Sequence, residues 1–268
     1  MEATVLSQLN TLFRKRIDLT ESGKISFEDL EHILMKTAYN IPFENICIIN
    51  KNTSEITKDS LIQKILLKNE GGLCYELNAI LYLFLLENGF KVGLVSGVVY
   101  DPVNSVYQSM GRTHVTILLT HEDKTYLIDT GFGANLPLKP VPLNGEMISS
   151  NNGEFRIKKE KTSFGDYILE MKLKHKDSDW RIGYAFDTET MINDMSDLNE
   201  IQTIIKDHKM SPFNKSPLIT KLTEAGNVTL TNNSFTQWIN GTVLKEEIEN
   251  EKFKELLNKI FHHKGQVF

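Results

Sequence analysis

The hydrophobic pattern changes period near residue 90, and that change limits the fold more than any other feature of the sequence. Up to that point VLSQLNTLFRKRI, FEDLEHILMKTAYN and SLIQKILLK carry apolar residues at three- and four-residue steps, the spacing of amphipathic helices. Beyond it, KVGLVSGVVY, HVTILLT, KTYLIDTGF, EFRIKKE, DYILEMKLKHK and WRIGYAF alternate with period two or form short apolar runs, as strands do. The connections between these strands are too short for helical crossovers, so an antiparallel sheet is expected. A polar stretch after residue 190 leads to further strand text near VTLTNNSFTQWI. The spacing predicts a final helix over KEEIENEKFKELLNKIF, with Ile248, Phe253, Leu256, Leu257, Ile260 and Phe261 on one stripe.

Bulk properties narrow the partners. A net charge of -5 supplies no basic field for a phosphate backbone, so a nucleic acid is not expected. No apolar run approaches the ~18 to 20 residues that span a bilayer, and the first residues lack the pattern of a secretory signal, so no membrane association and a cytoplasmic location are expected. Two cysteines, Cys47 and Cys74, are expected to stay reduced, and without a CxxC or Cys/His cluster no metal is expected.

Cys74 follows Gly71 and Gly72 and precedes a helical run to about Glu87 that Asn88-Gly89 would close in a left-handed cap. The glycines would admit backbone angles closed to other residues, and the cysteine would sit at a helix N-terminus, where unpaired amides and the dipole favour an anion. That is the setting of reactive cysteines, although a lone free cysteine is more often a small buried packing residue. A nucleophile needs a base. Of seven histidines, His121, His32, His175, His208, His262 and His263 fall in turns, charged surroundings or near the end, where exposed residues are expected. His114 instead opens the apolar run HVTILLT.

If HVTILLT and KTYLID form a hairpin centred between His121 and Glu122, His114 and Asp129 are direct cross-strand partners. Centring it between Glu122 and Asp123 makes the pair diagonal but keeps it on one face. A carboxylate there would orient and charge the imidazole of a nucleophile, base and orienter triad. Spacing leaves open whether the helix carrying Cys74 faces this hairpin.

IPFEN at 41–45, GGLCYELN at 71–78, GF at 89–90, THVTILL at 113–119 and YLIDTGFG at 126–133 together resemble the arylamine N-acetyltransferase family in order and spacing, with weaker similarity through SPF at 211–213 and AGNVTL beyond. The resemblance implies an α+β fold with a cysteine-protease-like core: a helical domain over 1–90 carrying the nucleophile, an antiparallel β-barrel over 91–195 carrying His and Asp, and a small α/β lid over 196–268. It implies a catalytic triad of Cys74, His114 and Asp129. Phe43, Phe132, Gly133 and Thr113 are the implied substrate contacts, and Phe213 and Ser216 the implied coenzyme contacts.

The implied reaction is ping-pong transfer of acetyl from acetyl-CoA, a cosubstrate with no tightly bound cofactor, to the nitrogen of an aromatic amine, arylhydroxylamine or hydrazine. A macrolactam-forming amide synthase, a papain- or transglutaminase-like enzyme and a non-catalytic binding member are the rivals. Two positions depart from the family. Glu70 stands where an arginine usually pairs with the glutamate of PFEN, here Glu44, so two like charges would lie near each other unless Lys68 or Arg112 substitutes. Ala134 follows GFG, where some relatives carry a bulky or charged residue, which implies a more open pocket.

Overall fold

A computed structural model describes residues 6–21 and 23–261. Helices α1 (Gln8–Arg16) and α2 (Leu30–Asn40) follow the three- and four-step spacing, and Pro42 ends the second by forcing an extended backbone. A two-residue strand β1 (Phe43–Glu44), a short helix α3 (Ile46–Ile49) and α4 (Lys58–Leu61) follow. The helical run expected at SLIQKILLK widens into a π-turn over Ile62–Leu67. Helix α5 (Cys74–Glu87) has the expected bounds and ends at Gly89 in the left-handed region, φ +82°.

Strands β2 (Lys91–Asp101), β3 (Val106–Tyr107), β4 (His114–His121), β5 (Lys124–Ile128), β6 (Val141–Pro142), β7 (Ile148–Ser150), β8 (Gly153–Thr162), β9 (Gly165–Leu173) and β10 (Arg181–Ile192) follow. All but the β3 flap lie in the order β6-β5-β4-β2-β10-β9-β8-β7, every pair antiparallel, and curl into a nearly closed eight-stranded barrel with β6 against β8. Its interior is packed by Val95, Leu118, Leu127, Phe155, Leu169, Tyr184 and Phe186.

The polar stretch after residue 190 contains a helix that the sequence reading missed, α6 (Asp197–Asp207). Leu198, Ile201, Gln202 and Ile205 form its buried face at helical spacing, so the signal was present within a polar background. Its apolar side chains join the core formed by α1, α2 and α5.

Strands β11 (Leu218–Thr223), β12 (Gly226–Thr231), β13 (Ser234–Ile239) and β14 (Thr242–Glu247) extend from β1 in a second antiparallel sheet, β1-β11-β12-β13-β14. Helix α7 (Asn250–Phe261) packs on it. The last helix therefore starts later than its pattern implied: Lys245, Glu246 and Glu247 belong to the exposed edge strand, and Ile248 is buried just ahead of the helix. Charged residues on an unpaired edge are a common device against edge-to-edge association. Among the described residues no helix is long and apolar enough to cross a membrane.

Candidate active site

The hairpin takes the second of the two registers. Leu118 pairs with Leu127 and His121 with Lys124, so the turn centres on Glu122 and Asp123, both with positive φ (46° and 60°), the backbone of a tight two-residue turn. Strand β5 ends at Ile128, and Asp129 follows diagonally to His114. His114 Nε2 lies 2.7 Å from Asp129 Oδ2. The pair is nearly sealed, with His114 3% and Asp129 2% exposed.

Asp129 is fully partnered. Its Oδ2 also accepts from the Tyr184 hydroxyl at 2.8 Å, while Oδ1 accepts from Asn78 Nδ2 at 2.9 Å and the Gly131 amide at 2.8 Å. Burial opposes its charge, but the His114 imidazole and the Asn78 and Gly131 donors outweigh that and hold the carboxyl below its ordinary range. Burial likewise opposes a charged His114. The Asp129 carboxylate outweighs it, with a contribution from Cys74, and the imidazole is raised to about 10.

Cys74 is the first residue of α5 and 7% exposed. It is near enough to the His114 ring to help hold the imidazole's charge. With Nε2 committed to Asp129, Nδ1 is the nitrogen left for the thiol. The Sγ also lies 3.4 Å from the Thr113 carbonyl, so Thr113 meets the site through its backbone.

The juxtaposition left open by the sequence is made by two residues. Asn78, one helical turn after Cys74, donates to Asp129 Oδ1 and to the Val115 carbonyl (2.7 Å) and accepts from the Thr130 amide (2.9 Å). Gly131 supplies the close approach: a Cβ there would lie 2.6 Å from Cys74 Cα. Gly71 and Gly72 act in the same way and not, as expected, through unusual backbone angles, since neither has a positive φ. A Cβ on Gly71 would meet the Pro42 carbonyl at 2.1 Å, and one on Gly72 would meet Glu76 Oε2 at 2.8 Å.

Neither Lys68 nor Arg112 replaces the arginine that Glu70 displaces. Lys64, on the π-turn, does: its Nζ lies 2.6 Å from Glu76 Oε1, 3.8 Å from Glu44 Oε1 and 3.0 Å from Cys47 Sγ. Burial opposes the ammonium, but Glu76 and Glu44 outweigh it and hold the Lys64 charge well above its ordinary range. Glu76 in turn caps α5 by accepting from the Leu73 amide (3.0 Å), which ties this ion cluster to the end of the helix that carries Cys74. Arg112 is instead paired with Asp187 and the Ser96 carbonyl.

Phe132 lies 5.0 Å, ring to ring, from His114 and crosses Tyr184 edge-on. Gly133 takes a left-handed φ of +62°. Phe43 bridges Gly72 and Thr220, so it stands beside the glycines that precede Cys74. Phe213 packs edge-on against Phe43 at 5.6 Å. Ser216 is exposed, and its carbonyl accepts from Asn45 Nδ2 at 2.9 Å. Ala134 packs toward Leu136, Leu138 and Leu222 and borders a cavity of about 160 Å³ at the seam between the sheets.

Of the other histidines, His121 is not exposed as expected but stacks on Phe27 at 4.4 Å. His208 is half-buried, its Nδ1 accepting from the Met210 amide, while His32 and His175 are exposed. His262 and His263 lie outside the described residues. Among the described residues no group of three or more His, Cys, Asp or Glu is placed to hold a metal ion.

A family model described as N-acetyltransferase matches residues 26–264. The uncharacterized acetyltransferase YvcN of Bacillus subtilis (strain 168) is 43% identical over 90% of this chain and 93% of its own. The structure of arylamine N-acetyltransferase C from Bacillus anthracis superposes with a TM-score of 0.92 at 41% identity, covering 97% of this chain and all of that one. An arylamine N-acetyltransferase from Bacillus cereus, with a Cys-His-Glu catalytic triad, gives 0.90 at 45% identity over 95% of this chain and 98% of its own.

Proposed function

The chain belongs to the arylamine N-acetyltransferase family, and from that premise we propose that it moves an acetyl group from acetyl-CoA to the nitrogen of an aromatic amine, arylhydroxylamine or hydrazine through an acetyl-Cys74 intermediate. His114, held as the imidazolium beside Asp129, already carries the proton when Sγ attacks the thioester carbonyl. The tetrahedral intermediate collapses, and the CoA sulfur leaves with that proton. In the second half, the amine attacks the acetyl-cysteine, His114, neutral after giving its proton to the CoA sulfur, takes the amine proton, and Sγ leaves beside the restored imidazolium. Asp129 fixes the ring's tautomer and stabilises its charged form throughout. The amides of Cys74 and Tyr75, at the start of α5, are the proposed donors to the developing oxyanion.

The observation that carries this reading is the buried His114–Asp129 pair, Nε2 and Oδ2 2.7 Å apart, with Cys74 at the start of α5 next to the same ring. The Bacillus cereus relative supports the view that the third position serves as a carboxylate of either length. Phe43 and Phe132 give the acceptor ring flat apolar surface, and Gly133, Thr113, Phe213 and Ser216 are the proposed neighbours of substrate and coenzyme. We read 1–90, 91–195 and 196–268 as the three units that meet at this site, and the location as cytoplasmic.

Intact-protein mass spectrometry after mixing with acetyl-CoA tests the proposal. One acetyl group should appear on Cys74 and be discharged by an aryl hydrazine. Acetylation elsewhere, or none, would overturn it.

A further inference from the structure

Side chains on alternate positions of each barrel strand point inward, and the two ends of the barrel are built differently. One end holds His114, Asp129 and Tyr184. Six residues along β4 from His114, about 20 Å away at the rise of a strand, Thr120 lines the opposite end. There the packed interior gives way to a cavity of about 570 Å³. That is the size of a small-molecule site, and the mouth of a barrel is a common place for one.

Three features of its lining converge. Its apolar lining is Leu118, Leu143 and Met191, with Tyr167 beside them. The lining also includes Thr120, Thr125 and Thr188. At the rim, Lys91 and Lys124 have no ion-pair partner among the described residues, and Asp123 is the one acidic lining residue. The charge at the mouth is thus net +1. Gly93 makes room for Met191, whose methyl lies 2.1 Å from where a Cβ would be; Met191 is 40% exposed, an adaptable thioether in the lining.

We propose that the barrel end remote from Cys74 binds a small amphiphilic monocarboxylate, its apolar body against Leu118, Leu143 and Met191 and its carboxylate between Lys91 and Lys124. Asp123 disfavours a dianion. The threonine hydroxyls donate to the head group where it passes from the apolar wall to the rim. The site stands apart from the acetyl-transfer reading and is tested without it.

The test is calorimetric titration of the full chain with decanoate below its micelle threshold. Decanol is the uncharged control, Gly93→Leu displaces Met191 and so reshapes the apolar wall, and Lys91→Ala/Lys124→Ala removes the rim charge. We expect saturable one-to-one binding that weakens at least about tenfold for decanol and for each variant, equivalent to ~1.4 kcal/mol. Alkylation of Cys74 should leave it unchanged. The double variant changes only exposed side chains, so it decides the matter even if Gly93→Leu fails to fold. Absence of saturable binding, a smaller loss in the double variant, or displacement by Cys74 alkylation would overturn the proposal.

Discussion

Asn78 Nδ2 lies 2.9 Å from Asp129 Oδ1, joining the helix that begins at Cys74 to the hairpin that carries His114. The same side chain reaches the Val115 carbonyl and accepts from Thr130, so three segments meet on one buried amide. Removing it leaves several buried polar groups unpaired. Asn78→Ala should destabilise the protein by about 2 to 4 kcal/mol, read as a shift of the urea midpoint. The variant should also release CoA in the first turnover much more slowly. Unchanged acylation in a folded variant would show that Gly131 packing alone sets the geometry.

Asp129→Asn replaces a carboxylate that accepts four hydrogen bonds with an amide that must turn a donor toward one of its present donors. It cannot stabilise the imidazolium. On a folded protein the acylation rate should fall on the order of 10³ to 10⁴, measured by stopped-flow CoA release. A rate within about tenfold of the parent would mean another group orients His114.

The raised value of His114, about 10, gives stability a pH signature. Between the unfolded histidine value near ~6.5 and the folded one, the native state holds a proton that the unfolded state has released. His114 therefore contributes its full stabilisation below the lower value and loses it as pH rises through the upper one. Urea denaturation from pH 6 to 10.5 should show a decline that is flattened in His114→Gln. Parallel curves for both proteins would contradict this.

Lys64 is the cation between two buried carboxylates. Lys64→Met should cost about 3 to 5 kcal/mol, because Glu44 and Glu76 then stay buried without a counter-charge. Adding Glu44→Gln and Glu76→Gln should restore much of the loss. Equal stability of parent and single variant would remove the cluster from any role in supporting the Cys74 helix.

The two thiols should react differently. Cys47 is pushed up to about 12, chiefly by burial, with Glu76 adding to it, and so is almost wholly protonated near neutrality. Brief iodoacetamide treatment at pH 7 followed by peptide mapping should find label on Cys74 and little on Cys47. Cys74→Ser should abolish acetyl uptake because a serine hydroxyl keeps its proton, and Cys47→Ala should retain it. Comparable labelling of both cysteines would sink the distinction.

What the chain itself determined is the local part of the structure. Helix spacing, the Asn88-Gly89 cap and the period-two strands are set by neighbours a few residues apart, so the bounds of α5 and the shared face of His114 and Asp129 were legible as sequence. Even α6 carried its signal, in Leu198, Ile201 and Ile205 at helical steps within polar surroundings. The hairpin register was narrowed to two, and the choice fell to Glu122 and Asp123 adopting positive φ in the folded turn.

The rest depends on contacts between residues far apart in the chain, which no local pattern encodes. Gly131 is needed because a side chain would collide with Cys74, and Gly71 because one would strike Pro42. Asn78 finds Asp129 across 51 residues, and Lys64, not Lys68 or Arg112, meets Glu44 and Glu76 because a π-turn rotates it inward. A buried charge or polar group must be satisfied by whatever partner three-dimensional packing supplies, and only the folded structure decides which residue that is.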